Sequence, residues 1–166
     1  YISKNIIIFM LFLFINKNLL SQEINVDLEL VLAVDVSSSV DEKEYQLQVR
    51  GIAAAFRHPD VVSAIQASGE NGIAVAMVQW SDNEEQALVG GWHVIRDSAD
   101  AAEYARIIRR SPRIIPGGQT SIAGALSFAI DEIENNNINS SRRVIDVSGD
   151  GRSNNGIHPM SIRDNA

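Results

Sequence analysis

Asp35, Ser37 and Ser39 alternate at the end of an apolar run, Leu28 to Val34, and so offer a carboxylate and two hydroxyls at the mouth of a buried strand. In extended or turning backbone, residues two apart point the same way, which lets all three present oxygen to one point. Thr120 and Asp150 add a second hydroxyl loop and a second carboxylate, each in a glycine-containing loop: Pro116-Gly117-Gly118-Gln119 leads into Thr120, and Asp150 sits in Ser148-Gly149-Asp150-Gly151. Two carboxylates and three hydroxyls suit a hard cation in octahedral oxygen coordination, magnesium or manganese, better than zinc or copper. Each residue also has a plain structural use. Ser39 with Glu42 reads as a capping box, Asp35 as a strand terminus, Thr120 as a helix cap and Ser148 to Gly151 as a tight turn. It is their joint occurrence at the ends of successive elements that favours a metal site.

The elements that must position these residues are legible from periodicity. Val26, Leu28 and Leu30 alternate with Asp27 and Glu29 before Val31 to Val34 run on unbroken, as in a strand covered on both faces. From about Asp41, Tyr45, Val49, Ile52, Ala53 and Phe56 recur at helical spacing until His58-Pro59. Asp60 to Ala67 reads as a short helical turn, and Gly72 to Trp80 as a strand with Ile73, Val75 and Met77 on one face and small Ala74 and Ala76 on the other. Gln86 to Ile95 pairs with it as an antiparallel hairpin, bulged at Gly90-Gly91, with Trp80 and Trp92 as apolar anchors. A helix from Asp97 or Ser98 to about Arg110 follows, and its basic cluster Arg106, Arg109, Arg110 and Arg113 reads as a solvated helix end. Ile122 to Ile133 forms another amphipathic helix, the polar tract Asn135 to Ser141 ends it, Arg142 to Val147 is a short strand, and the remainder is a loop and the start of a helix.

Strands alternating with helices in this order predict an α/β fold, doubly wound, with a mostly parallel sheet and one antiparallel edge hairpin. Ligands of such sheets bind beyond the carboxyl ends of the strands, where Asp35, Thr120 and Asp150 would meet.

The 166 residues carry a net charge of -7, which disfavours nucleic acid and anionic membrane surfaces while tolerating a cation. The absence of cysteine excludes thiolate metal sites, redox motifs and disulfides. Lys4 precedes the apolar run Ile6 to Ile15, too short to span a bilayer but suited to the core of a signal peptide, so residues 1–21 are expected to direct export to the periplasm or medium. An uncleaved anchor would be the only membrane association.

The spacing of Asp35-x-Ser37-x-Ser39, Thr120 and Asp150 resembles the metal-ion-dependent adhesion site (MIDAS) of von Willebrand factor type A (vWA) domains. Arg142 to Gly151 with Asn154-Asn155 further resembles an uncharacterised bacterial subfamily of exported A-domain-like proteins. The resemblance implies a vWA-like domain over residues 24–166, one Mg2+ or Mn2+ held by those five residues, and a protein partner whose Asp or Glu takes an open metal position. It implies further strands and helices after Ala166, so that the chain would be a fragment. Binding, not turnover, is the expected output. Two alternatives stand beside it: a metal-assisted hydrolase using Asp35 and Asp150, and a structural domain with an empty site. A serine nucleophile is disfavoured because His58, His93 and His158 lie outside these motifs.

Overall fold

The computed structural model describes residues 23–163, so the expected export segment lies outside the described residues. Among them, strands β1 (Ile24–Val26), β2 (Leu28–Asp35), β3 (Ile73–Trp80), β4 (Gln86–Ile95), β5 (Ile138–Ser140) and β6 (Arg143–Ser148) alternate with helices α1 (Glu42–Ala55), α2 (Pro59–Ala67), α3 (Ser98–Arg109), α4 (Ile122–Glu134) and α5 (Pro159–Arg163). The main sheet runs β4-β3-β2-β6, with β2 parallel to both neighbours and β3–β4 antiparallel. This is the α/β class expected, edge hairpin included. No described helix is long and apolar enough to cross a membrane.

Alternation of side chains explains the two covered faces. Val34, Ile73, Val75 and Met77 pack with Tyr45, Val49 and Ala53 of α1 and with Ala101, Tyr104, Ala105 and Ile108 of α3. On the opposite face Val31, Val78, Ala129 and Ile133 form one cluster and Ala33, Trp80 and Ala125 another, both against α4. Each fully buried valine or isoleucine of this kind contributes roughly 1.5–3 kcal/mol relative to exposure. The bulge falls where glycine is needed: register slips between Val75 and Met77, opposite Gly90 and Gly91, whose φ angles are 76° and 78°.

Several local expectations are corrected. The capping box at α1 belongs to Asp41 and Glu44, not to Ser39 and Glu42: Asp41 accepts from the Lys43 and Glu44 amides and Glu44 accepts from the Asp41 amide. Aspartate two residues closer to the helix meets its free amides, which releases Ser39 from the cap. Ser121, not Thr120, caps α4. The polar tract after α4 contains β5, which pairs in parallel with β1 as a separate two-stranded sheet. Glu29, read as part of a polar alternation, is fully buried. Its carboxylate accepts from Asn136 at 2.8 Å and Ser140 at 2.5 Å and faces Arg143 at 3.6 Å, tying β2 to the β5–β6 segment. Partners of this number are what a buried carboxylate requires.

Candidate metal centre

The parallel register sets the site. Asp35 stands opposite Trp80 at the end of β3, and Val34 opposite Ser148 at the end of β6, so three strands end abreast and their following loops meet. Asp35 is fully buried, Ser37 is 1% exposed and Thr120 6% exposed, whereas Ser39 and Asp150 lie at the surface.

Hydrogen bonds link four of the five residues in series, the first through a backbone amide. Asp35 Oδ1 accepts the Ser37 amide at 2.7 Å, Ser37 Oγ and Ser39 Oγ are 3.1 Å apart, and Ser39 Oγ donates to Asp150 Oδ1 at 3.0 Å. Thr120 lines the same cavity as Ser39, Gly151 and Arg152, and a Cβ on Gly151 would stand 4.0 Å from Thr120 Oγ1. All five residues singled out by sequence therefore lie around one end of the sheet.

Four other residues, Gly149, Arg113, Gly117 and Asn154, shape the site in roles that the sequence did not assign to them. Gly149 leaves open the space in front of Asp35: a Cβ there would lie 3.0 Å from Asp35 Oδ2 and 3.3 Å from the Trp80 ring. Arg113, expected to be a solvated helix end with Arg106, Arg109 and Arg110, instead turns inward. Its guanidinium donates to the carbonyls of Val40 at 2.9 Å, Val36 at 2.5 Å and Ser37 at 3.4 Å, clasping the Asp35–Ser39 loop. The other three arginines are exposed, as expected. Gly117, with φ of 88°, allows this clasp, since a Cβ would stand 2.5 Å from Arg113 Nη2 and 3.0 Å from the Val36 carbonyl. Asn154 holds Thr120 by its backbone: it accepts the Thr120 amide at 2.9 Å and donates its own to the Thr120 carbonyl at 2.8 Å. Long-range bonds of this kind have no sequence periodicity; the glycines flanking Asp150, the Gly117-Gly118 pair ahead of Thr120 and the Asn154-Asn155 pair were the visible signals.

The support behind the loops is itself polar and satisfied. Tyr45 donates to the carbonyls of Ser111 and Pro112 at 3.0 and 3.1 Å, accepts from Gln79 at 2.7 Å, and Gln79 Oε1 accepts the Ile114 amide at 2.8 Å. Burial pushes the Tyr45 hydroxyl up to about 12, with the Gln79 bond acting in the opposite sense.

The donor set fits a hard cation on one specific ground. Asp35 Oδ2 is buried and has no hydrogen-bond partner, and the space before it is kept clear by the missing side chain of Gly149. A buried carboxylate oxygen left unpaired is costly, and a cation would compensate it. Among the described residues no three His, Cys, Asp or Glu side chains cluster as metal ligands, so the set depends on hydroxyls.

The family model described as Protein of unknown function (DUF1194) matches residues 25–166. No curated protein sequence matches the chain significantly. Among solved structures, proximal thread matrix protein 1 from the mussel byssus is similar at 18% identity with a TM-score of 0.61, over 87% of this chain and 36% of that one. Another structure of that protein, described as having a zinc-occupied MIDAS motif, gives 19% identity and a TM-score of 0.61 over the same shares, 87% and 36%. The vWF domain of the type V pili tip protein Mfa5 from Porphyromonas gingivalis is 17% identical over 77% of this chain and 39% of that domain, with a TM-score of 0.45. The fold is vWA-like, and the chain spans 36% of the length of the byssus protein.

Proposed function

The chain belongs to the DUF1194 family, and from that premise we propose that it is a metal-dependent, MIDAS-type protein-binding module that captures an acidic side chain of a partner. The observation that carries the reading is the unpaired, buried Oδ2 of Asp35 facing the space kept open by Gly149.

In this reading Asp35, Ser37, Ser39, Thr120 and Asp150 hold one Mg2+ or Mn2+, directly or through water. A bound dication supplies a positively charged, incompletely filled coordination shell that an external carboxylate is drawn to complete. The chain's own part is to arrange oxygen. Buried Asp35 and Ser37 form the floor, exposed Ser39 and Asp150 the mouth, and Arg113 fixes the intervening loop through its carbonyls without engaging its side chains. With three hydroxyls among five donors, the ligand charge only balances the cation's, and hydroxyls donate little electron density, so a partner's carboxylate is still favoured there.

Residues 24–166 constitute the module, and it acts outside the cytoplasm; the support for the latter is the Lys4-led apolar run Ile6 to Ile15. The net charge of -7 speaks against nucleic acid as the partner.

The test is metal-dependent stability. A ligand of the native state present at about 100 times its Kd adds about 2.7 kcal/mol by mass action. Millimolar Mg2+ or Mn2+ should raise the melting temperature over a chelator control, and a Ser37→Ala, Ser39→Ala double variant should lose the rise. An unchanged melting temperature for the native chain in both metals would sink the proposal. Metal-stimulated turnover of a phosphate ester, abolished by Asp35→Ala, would replace it with a hydrolase.

A further inference from the structure

We infer that Asn154 is a positioning residue for Thr120, coupling the Thr120 loop to the loop that carries Asp150; this rests on the metal-binding reading above. Thr120 is nearly buried, and both polar groups of its backbone are engaged by the segment that follows Asp150. Asn154 Oδ1 accepts the Thr120 amide at 2.9 Å while the Asn154 amide donates to the Thr120 carbonyl at 2.8 Å, so a single residue closes a two-bond ring on it, in the manner of a β-bridge with one side-chain arm. The Thr120 carbonyl also receives the Asn155 amide at 3.2 Å and Ser153 Oγ at 3.3 Å. Asn155 extends the grip to both sides: its Nδ2 donates to Gln119 Oε1 and its Oδ1 accepts the Asn83 amide at 3.1 Å.

The placement matters because the backbone amide of Thr120 is held by Asn154, while its neighbours are anchored elsewhere: the Ser121 amide donates to the Ser81 carbonyl at 2.7 Å and the Gly118 carbonyl accepts the Ser38 amide at 2.9 Å. The Ser121 side chain is committed to capping α4, accepting the Gly124 amide at 3.1 Å, and the preceding residues Pro116 to Gln119 are a glycine-containing loop. Asp150 and Asn154 are four residues apart in one loop, so the chain segment that presents the last carboxylate also fixes the last hydroxyl. The two donors therefore move as a unit: a shift of the 150–155 segment that withdraws Asp150 also displaces Thr120. Outer-shell hydrogen bonds of this kind, when removed, typically lower metal affinity by roughly 10- to 100-fold.

The two arms of the grip separate cleanly by mutation. Asn154→Ala removes the side-chain acceptor and keeps the backbone donor, whereas Asn154→Asp keeps both. The experiment measures Mn2+ affinity by calorimetry, and amide exchange of residues 117–122 in chelator, for the native chain and both variants. The expected result is at least 10-fold weaker Mn2+ binding and faster exchange of the Thr120 amide in Asn154→Ala, with Asn154→Asp restoring both to within about threefold of the native chain. Native Mn2+ binding with an Asn154→Ala variant of unaltered affinity would overturn the positioning role and leave the metal site standing. Unaltered exchange at Thr120 in that variant would overturn it as well. Absence of Mn2+ binding in the native chain would overturn the metal-site reading and this role with it, the exchange data then reporting only a loop tether.

Discussion

Ser39 Oγ donates to Asp150 Oδ1 at 3.0 Å across a sequence separation of 111 residues. Both follow strands that are parallel neighbours, β2 and β6, so their loops leave the sheet at the same end. A bond of this span exists because β6 inserts beside β2 and not beside β4, and it places a hydroxyl donor and a carboxylate acceptor side by side at the mouth of the candidate site. The parallel pairing of β2 with β6 is thus the feature on which convergence of the loops depends.

Filling the space before Asp35 should separate metal binding from folding. Gly149→Ala puts a methyl 3.0 Å from Asp35 Oδ2 and 3.3 Å from Trp80. The expected outcome is a stability change of at most about 1 kcal/mol in chelator together with a tenfold or greater loss of Mn2+ affinity, read by denaturant unfolding and calorimetry. Full Mn2+ affinity in this variant would show that the space is not where the cation sits.

Arg113 should behave as a loop clasp and not as a surface charge. Arg113→Ala deprives the carbonyls of Val36, Ser37 and Val40 of their donor and is expected to cost about 2–3 kcal/mol in urea unfolding, more than alanine at exposed Arg110. Arg113→Lys should recover only part, since an ammonium lacks the planar fork that reaches several carbonyls at once. Equal stabilities for the Arg113→Ala and Arg110→Ala variants would contradict the clasp.

Alkaline unfolding should report on Tyr45. Its hydroxyl is pushed up to about 12 in the fold, above the ordinary value of 10.0. The neutral form is therefore the one the fold favours. The associated stability is fully present below pH 10, where both states keep the proton, and is lost as pH rises from there toward 12, where the unfolded chain releases it first. The loss across that window is on the order of 2–3 kcal/mol. Tyr45→Phe should be less stable at neutral pH, by about 1–2 kcal/mol for the lost bonds to Gln79 and the Ser111 carbonyl, but flatter between pH 10 and 12. Parallel pH profiles for the two proteins would refute this.

Much of the molecule was written locally in the chain. The strands at Leu28 to Val34 and Ile73 to Trp80, the helices begun by Asp41 and Asp97, and the glycine bulge at Gly90-Gly91 follow from hydrophobic period, cap chemistry and backbone freedom, each decided within a few residues. The oxygen-bearing types at positions 35, 37, 39, 120 and 150 were equally plain, because donor chemistry resides in the side chain alone. Tertiary structure decided everything that required a distant partner. Whether Ser39, left free of the cap by Asp41, would face Asp150 depended on β6 lying beside β2. Glu29 read only as the polar half of an alternation until Asn136, Ser140 and Arg143 closed over it, and Arg113 read as a helix-end charge until the Val36 and Val40 carbonyls came within its reach. A hydrogen bond between residues a hundred positions apart leaves no periodic trace, since its energy depends on a distance that exists only after the sheet has assembled.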